Sequence, residues 1–544
     1  MLKRAGEAKE RTELSSLKEE AQMVMLNRVT EKTTLGKNEK TLKEDLESGI
    51  SNATVESINK TEESEGLTDV YYVSKNGRYV TVYEDGDIEE GKVEIWDGKK
   101  LSSPEFKKEN NIWNWYIYTP SQLKFLADFV NNGNKLEGRD DLKKLVEDAN
   151  YDTNTVTMST DTMIYLMNNL DLGARQKDGE KTTGENWIPI GINLKNVKNK
   201  LGTFEGNNYT IKGLYSTTAN YCGLFGTSNT IQNLTIKNSY AKGVNAIGGI
   251  VGSILSGQVY NCNNYNTTVI GTGQCVGGIT GLASGMVNKC NNNGVVKGSD
   301  QFVGGITGRA YSMVEECNNS GAVVGKVRCV GGIAGATNSE AIISNCNNSG
   351  TIKGERGLVG GIVGYLKKST VKLCNNSGTV TGTGERIGGI VGDEEPGSIV
   401  SESRNCGVIT GNVENSEGIG GIVGTVSYTD DETNSKVEKC YNNGTVNGET
   451  KVGGIIGLLA GSLGKGTVTE CYNKGIITGT TKVGEVIGTV STIGLNTLNK
   501  LFYLKNERGL TAIYGESDDN ETKGIMAIDK DMTYEQFKEW IEEQ

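Results

Sequence analysis

Val359-Gly360-Gly361-Ile362-Val363-Gly364 is the stretch on which the fold turns, because the chain repeats it. Close copies begin at Ile247, Val276, Val303, Val330, Ile387, Ile419 and Val452, and a worn copy begins at Val483. Self-similarity at a period of about 30 residues marks a repeat protein, whose units cannot bury an apolar face alone and stack to do so.

Aligned on this motif, the units form columns. One slot holds Cys262, Cys290, Cys317, Cys346, Cys374, Ser403, Cys440 and Cys471. Three residues earlier stands Val or Ile, as at Val314 and Ile343, and two residues later stands asparagine, from Asn264 to Asn473. Four later it is glycine in every unit but the first, where Asn266 sits. A parallel β-helix accounts for this pattern. Coils stack about 4.8 Å apart, so like residues form ladders along the axis. β-Branched columns suit a buried pleated wall. Asparagine tolerates a left-handed turn, and its amide donates to and accepts from its own copies. Glycine serves positive φ or close backbone approach. Nine or ten coils give a rod on the order of 45 Å long.

Composition narrows the function. The 544 residues include 75 glycines, 4 prolines and 6% aromatics, as expected for short strands and tight turns. A net charge of −11 argues against a nucleic-acid surface, and much of it sits in residues 515–544, read as a solvated tail. There is no histidine, which removes Ser-His-Asp and Cys-His catalysis, histidine-bearing zinc sites and histidine-held haem. No apolar run is long enough to span a membrane, and the start Met1-Leu2-Lys3-Arg4-Ala5-Gly6-Glu7 lacks a signal core. The chain is therefore expected to be cytoplasmic or to lack an export segment.

Before the repeats, Leu14, Leu17, Ala21, Val24, Met25 and Val29 have the spacing of an amphipathic helix over residues 2–32. A polar stretch, Thr33 to Gly66, follows. Asn76-Gly77 and Asp85-Gly86-Asp87 separate expected strands at residues 69–73, 78–83 and 92–96. Thr119-Pro120-Ser121 opens a helix to Asn131, a second is expected near residues 140–148, and Met163–Met167 reads as a strand. A solenoid needs its end edges covered, so this pair reads as part of an N-terminal cap.

Two resemblances follow from these residues. The helix on a small sheet resembles the soluble part of type IV pilin-like proteins, without the membrane-anchoring half of their helix. It implies an extracellular module, pilus-like assembly, and membrane contact only through a segment missing from this chain. Trp187-Ile188-Pro189-Ile190-Gly191, Gly202-Thr203-Phe204-Glu205-Gly206, Gly223-Leu224-Phe225-Gly226 and the repeats are similar to GLUG-motif arrays. Those arrays occur in bacterial surface proteins and beside the immunoglobulin A zinc peptidases. That likeness implies a β-solenoid and says little of activity; a His-Glu-x-x-His zinc motif is impossible here.

Eleven cysteines invite disulfides or metal, yet seven share the ladder slot with Ser403, which favours small, buried, free thiols. No Cys-x-x-Cys occurs. Cys222, Cys275, Cys329 and Cys406 lie off the ladder without an evident role. Gly461 to Thr467 lacks the spacing of a phosphate loop, and the repeats lack calcium-binding aspartates. β-Helices also host polysaccharide lyases and hydrolases, and a glycosidase needs two carboxylates about 5 to 9 Å apart. The candidates are Glu394, Glu395, Asp430, Asp431 and Glu432, placed in bulged loops where solvated charge is the plainer reading. Tyr311, Tyr365 and Tyr428, just after the motif, are candidate contacts for a sugar or protein, though turn tyrosines usually only pack.

The expected architecture is mainly β, with four parts. Residues 1–111 form the pilin-like α+β module, 112–201 a helical lead-in and cap, 202–500 the solenoid, and 501–544 a C-terminal cap with an acidic helix. The expected function is non-catalytic, structural or adhesive display at the bacterial surface, with no cofactor, no nucleic acid, and a host or matrix glycan or protein as partner. The alternative is a carbohydrate-active β-helix enzyme using the loop carboxylates.

Overall fold

Five short strands make one coil, seen where it begins at Val303: Val303–Gly304, Thr307–Ala310, Val314–Glu315, Asn318–Asn319 and Val323–Gly325. Each pairs in parallel with its counterpart one coil on, matching Val303 with Val330, Val314 with Ile343, Asn318 with Asn347 and Val323 with Ile352. The molecule is a parallel β-solenoid of about ten turns. The computed structural model describes residues 2–35, 41–58, 70–177, 181–192, 201–326, 328–338, 340–411, 418–427, 435–460, 466–491, 497–505, 509–514 and 524–543.

The interior is two cores rather than one. Ile306, Ala310, Val314 and Cys317 belong to the larger, and Val303 and Val323 to a narrow second one. The double glycine separates them. A Cβ on Gly361 would lie 2.5 Å from Cγ of Asn376 and 2.1 Å from the Gly389 carbonyl, and Gly305, Gly332 and Gly389 press on Asn319, Asn348 and Asn405 in the same way. The motif is thus a waist at which the backbone meets a buried asparagine ladder. Its glycines are there for close approach, since none has positive φ.

That ladder runs unbroken from Asn264 to Asn473. Each Nδ2 donates to Oδ1 of the next coil, as from Asn348 to Asn376 and from Asn376 to Asn405, both at 2.8 Å. The same Nδ2 of Asn376 donates to the Gly378 carbonyl at 3.1 Å, which sets the amide's direction. Asn473 ends the ladder on the Glu485 carbonyl. A second, outer ladder runs the other way, with Asn347 donating to Asn318 and Asn318 to Asn291, both at 2.9 Å. Left-handed turns fall elsewhere than expected. They come one residue before the cysteine slot, at Asn261, Lys289, Glu316, Asn345, Leu373, Glu402, Lys439 and Glu470, and just before the motif at Ala246, Cys275, Phe302, Lys451 and Lys482.

At the N-terminal end, α1 (Leu2–Leu35) and α2 (Leu42–Gly49) pack on an antiparallel sheet of β1 (Thr54–Ile58), β2 (Val70–Lys75), β3 (Arg78–Tyr83) and β4 (Ile88–Glu90). Leu17, Ala21, Val24 and Met25 are buried as the stripe requires, but Val29 is 60% exposed. Arg28 takes the inner face, 2.5 Å from Asp45 of α2. The strand expected at residues 92–96 is not part of this sheet. Gly91, at φ +83°, turns the chain away, and the Trp96 amide donates to the Asp171 carbonyl.

The ladder begins before Gly202: the strand Ile112–Ile117 pairs in parallel with Met163–Leu166, which pairs with Thr203–Glu205. Over this end lie α3 (Pro120–Asn131), with a Thr119–Gln122 capping box, and α4 (Asp140–Asp148). At the other end, α5 (Tyr534–Glu542) lies along the flank and does not plug the rod. It packs on the stacked Tyr441, Tyr472 and Phe502, and its Tyr534 hydroxyl reaches the Glu402 carbonyl one coil further back.

Candidate functional site

Outward-facing columns carry whatever chemistry this scaffold presents, because inward positions are sealed. The ladder cysteines show the sealing. Sγ of Cys317 donates to the Glu315 carbonyl at 3.2 Å, and burial pushes its thiol, like that of Cys290, well above the ordinary value. All eleven cysteines are free, and Cys406 is the exposed one. Cys222 lies in the narrow second core. Cys275 and Cys329 pack with Phe302 in a separate cluster outside both cores.

Of the five expected carboxylates, Glu394 and Glu395 are among the described residues, and they do not share a face. Glu394 is inside the larger lobe, not in a loop, in a column where Leu366 precedes it and Val426 follows. Among the described residues neither of its oxygens has a hydrogen-bond partner. Burial, with smaller contributions from Cys440 and Asp393 and against a weaker pull from the Lys436 backbone amide, holds its carboxyl well above the usual range. Glu395 points outward, accepts from the Tyr365 hydroxyl and lies 3.4 Å from Lys367. Burial raises its carboxyl too. Asp430, Asp431 and Glu432, and also Tyr428, lie outside the described residues.

Asp393, which is not among the residues expected from the sequence, is 3% exposed between two coils. Arg386 donates to it at 2.7 Å, and the Ser427 hydroxyl donates at 2.6 Å. Over three coils the outer wall thus carries two groups of charge contacts, Asp393 with Arg386 and Ser427, and Glu395 with Tyr365 and Lys367. A column signal for Glu394 is present in the sequence: Ile254, Ala283, Ala310, Leu366, Val426 and Leu459 share its position and are apolar, while Ser228 and Thr337 are its small polar members.

Tyr311 and Tyr365 do not share a column. Tyr311 is 38% exposed, with the Arg309 guanidinium 5.0 Å from its ring centre. Tyr365 stands two coils from Arg309 in Arg309's own column. Tyr311 lies two residues from Arg309 along the chain, whereas Phe302 reaches the guanidinium through the bend of the coil.

A concave feature of about 580 Å³ lies where the N-terminal module meets the solenoid, lined by Lys18, Glu89, Glu90, Lys92, Tyr118 and Asn169 among others. Its charges are engaged: Lys18 pairs with Glu90 at 3.2 Å and Asn169 donates to Glu89 at 2.8 Å. Beside it, Lys212 is buried over the Tyr83 ring, 3.8 Å from Asp87 and 3.9 Å from Glu89. Lys237 and Asn238 bind Asp87 and Asp85. The β3–β4 hairpin is thus fastened electrostatically to the first coils.

Fold and site together define a β-solenoid protein with a helix-and-sheet module fastened near one end. No protein-family model and no curated protein matches the chain. Among solved structures it is similar to a Bacteroides ovatus protein described as a "putative immunoglobulin A1 protease", at 19% identity and a TM-score of 0.37, over 58% of this chain and 80% of that one.

Proposed function

We propose that the chain is a non-catalytic extracellular protein of the GLUG-repeat kind, displaying a rigid β-solenoid at the bacterial surface to hold a glycan or protein of a host or matrix. The observation that supports this reading is the fate of the candidate carboxylates among the described residues. Glu394 and Glu395 face opposite sides of one wall, and the outward pair, Asp393 and Glu395, is taken up by Arg386, Ser427, Tyr365 and Lys367. A glycosidase needs two carboxyl groups free to exchange a proton or attack across a bond. The unbroken asparagine ladder suits a rod that keeps its shape under load. The N-terminal module, with its long helix on an antiparallel sheet, supports a pilin-like base through which chains assemble.

Incubating the full chain with a panel of polysaccharides, and scoring both retention on immobilised polymer and release of reducing ends, tests the reading. Retention without new reducing ends is expected. Product release would overturn it, and so would a chain that neither retains polymer nor binds extracellular-matrix protein.

A further inference from the structure

Departures from the repeat concentrate on one outer face. Just before the double glycine, most later coils carry small or charged residues such as Gly418 and Lys451, and the facing column carries Ser253, Thr425 and Thr489. Over the coils that begin at Val276, Val303 and Val330 the same positions hold Cys275, Phe302 and Cys329 against Leu282 and Arg309, an apolar cluster outside the solenoid interior.

Arg309 is the charged member of this face. Its guanidinium lies 4.8 Å from the Phe302 ring centre and 5.0 Å from that of Tyr311. Nε is buried with no hydrogen-bond partner, and among the described residues no carboxylate pairs with the group. Arg386, further along the same wall, has Asp393 and Ser427. Phe302 also keeps a left-handed backbone, φ +59°, which an aromatic residue adopts at a cost. Two ring contacts restrain the guanidinium, whose planar N–H fork matches a carboxylate bidentately.

We propose that Arg309, with the exposed ring of Tyr311, is a receptor for the carboxylate of an acidic saccharide, an inference that rests on the adhesive reading above. The half-exposed tyrosine offers a stacking face for a pyranose ring, and the next coil sets Asn338 beside it, an amide suited to hydroxyl groups. A peptide gains most by adding a strand to a sheet edge, and the backbone groups of this wall are already paired from coil to coil.

The test measures binding of the full chain to polygalacturonate, neutral dextran and poly-glutamate, for wild type, Arg309→Gln, Arg309→Lys, Tyr311→Ala and a control, Lys353→Gln, on another strand. Far-UV circular dichroism melts confirm that each variant is folded. Polygalacturonate is expected to bind wild type and the control alike, and both Arg309 variants are expected to bind roughly tenfold or more weakly. The lysine variant fails because it keeps the charge without the fork. Tyr311→Ala should weaken the polymer further than it weakens free galacturonate. Saccharide binding that survives Arg309→Gln overturns this site and leaves the adhesive reading standing. Arg309-dependent binding of poly-glutamate but not of polygalacturonate overturns the saccharide assignment. Binding to no polymer overturns the inference, and the retention and matrix-protein assays then decide the adhesive reading separately.

Discussion

Replacing Glu394 should stabilise the solenoid, and its effect should depend on pH in a defined way. The carboxyl sits in a column between Leu366 and Val426 with neither oxygen partnered among the described residues. An unsatisfied buried polar group costs about 1–3 kcal/mol even when neutral. Glu394→Leu removes that cost and extends the apolar column, so a gain of about 1–3 kcal/mol is expected at acid pH, where the carboxyl is protonated folded or unfolded. Above the unfolded value of about 4.3 the unfolded chain releases its proton while the folded chain, with its carboxyl held well above the usual range by burial, retains it. Wild-type stability therefore falls as pH rises, by about 1.4 kcal/mol per pH unit, until the folded pKa is reached. Glu394→Gln keeps the shape and the unsatisfied atoms but cannot titrate. Thermal melts of wild type, Glu394→Gln and Glu394→Leu between about pH 4.5 and 8 separate the two contributions. The leucine variant should melt highest throughout, and the gap between wild type and glutamine should widen with pH. Parallel pH profiles for wild type and glutamine would show that Glu394 is ionised and partnered, and would refute the argument.

The waist makes a matched pair of predictions. Gly361→Ala places a Cβ 2.1 Å from a carbonyl oxygen, and Asn376→Leu strips two ladder bonds and the bond to Gly378, so each should lower stability by about 2 kcal/mol or more in denaturant melts. Leu373→Asn, at an exposed left-handed position with φ +54°, should instead stabilise by about 0.5–1 kcal/mol, read as a rise in melting temperature. Lys212→Met takes one cation from between Asp87 and Glu89 and leaves Asp87 with Lys237; a loss of about 1 kcal/mol should appear as faster proteolytic release of the N-terminal module while the repeats stay protected. Thiol titration should find one fast-reacting cysteine, Cys406, in the native chain and eleven after unfolding; a second fast thiol would place one of the packed cysteines at the surface.

Much of the fold is legible in the sequence, and the reason is geometric. Stacking repeats the same neighbours at the sequence period, so aligning the repeats is enough to write the valine, cysteine and asparagine columns as ladders, and they pair as written. Helix ends are equally local: Thr119 and Gln122 make their capping box within four residues. The candidate site is less legible. As chain neighbours Glu394 and Glu395 suggest one charged loop, whereas comparison along the column puts Glu394 inside. Arg309 carries no signal, since residues seven apart, Phe302 and Arg309, meet only because the chain bends at the waist between them.

The sequence by itself determined the ladders along the axis: a repeat of about 30 residues, an apolar wall, a thiol slot and an asparagine slot, each recurring coil after coil. Only the tertiary structure decided what happens across a coil. It divides the interior into two lobes, presses Gly361 on Asn376, buries Glu394 and brings Phe302 to Arg309. Contacts along the axis join identical residues and leave a periodic trace, whereas contacts across the coil join different residues whose distance is set by the bends between them.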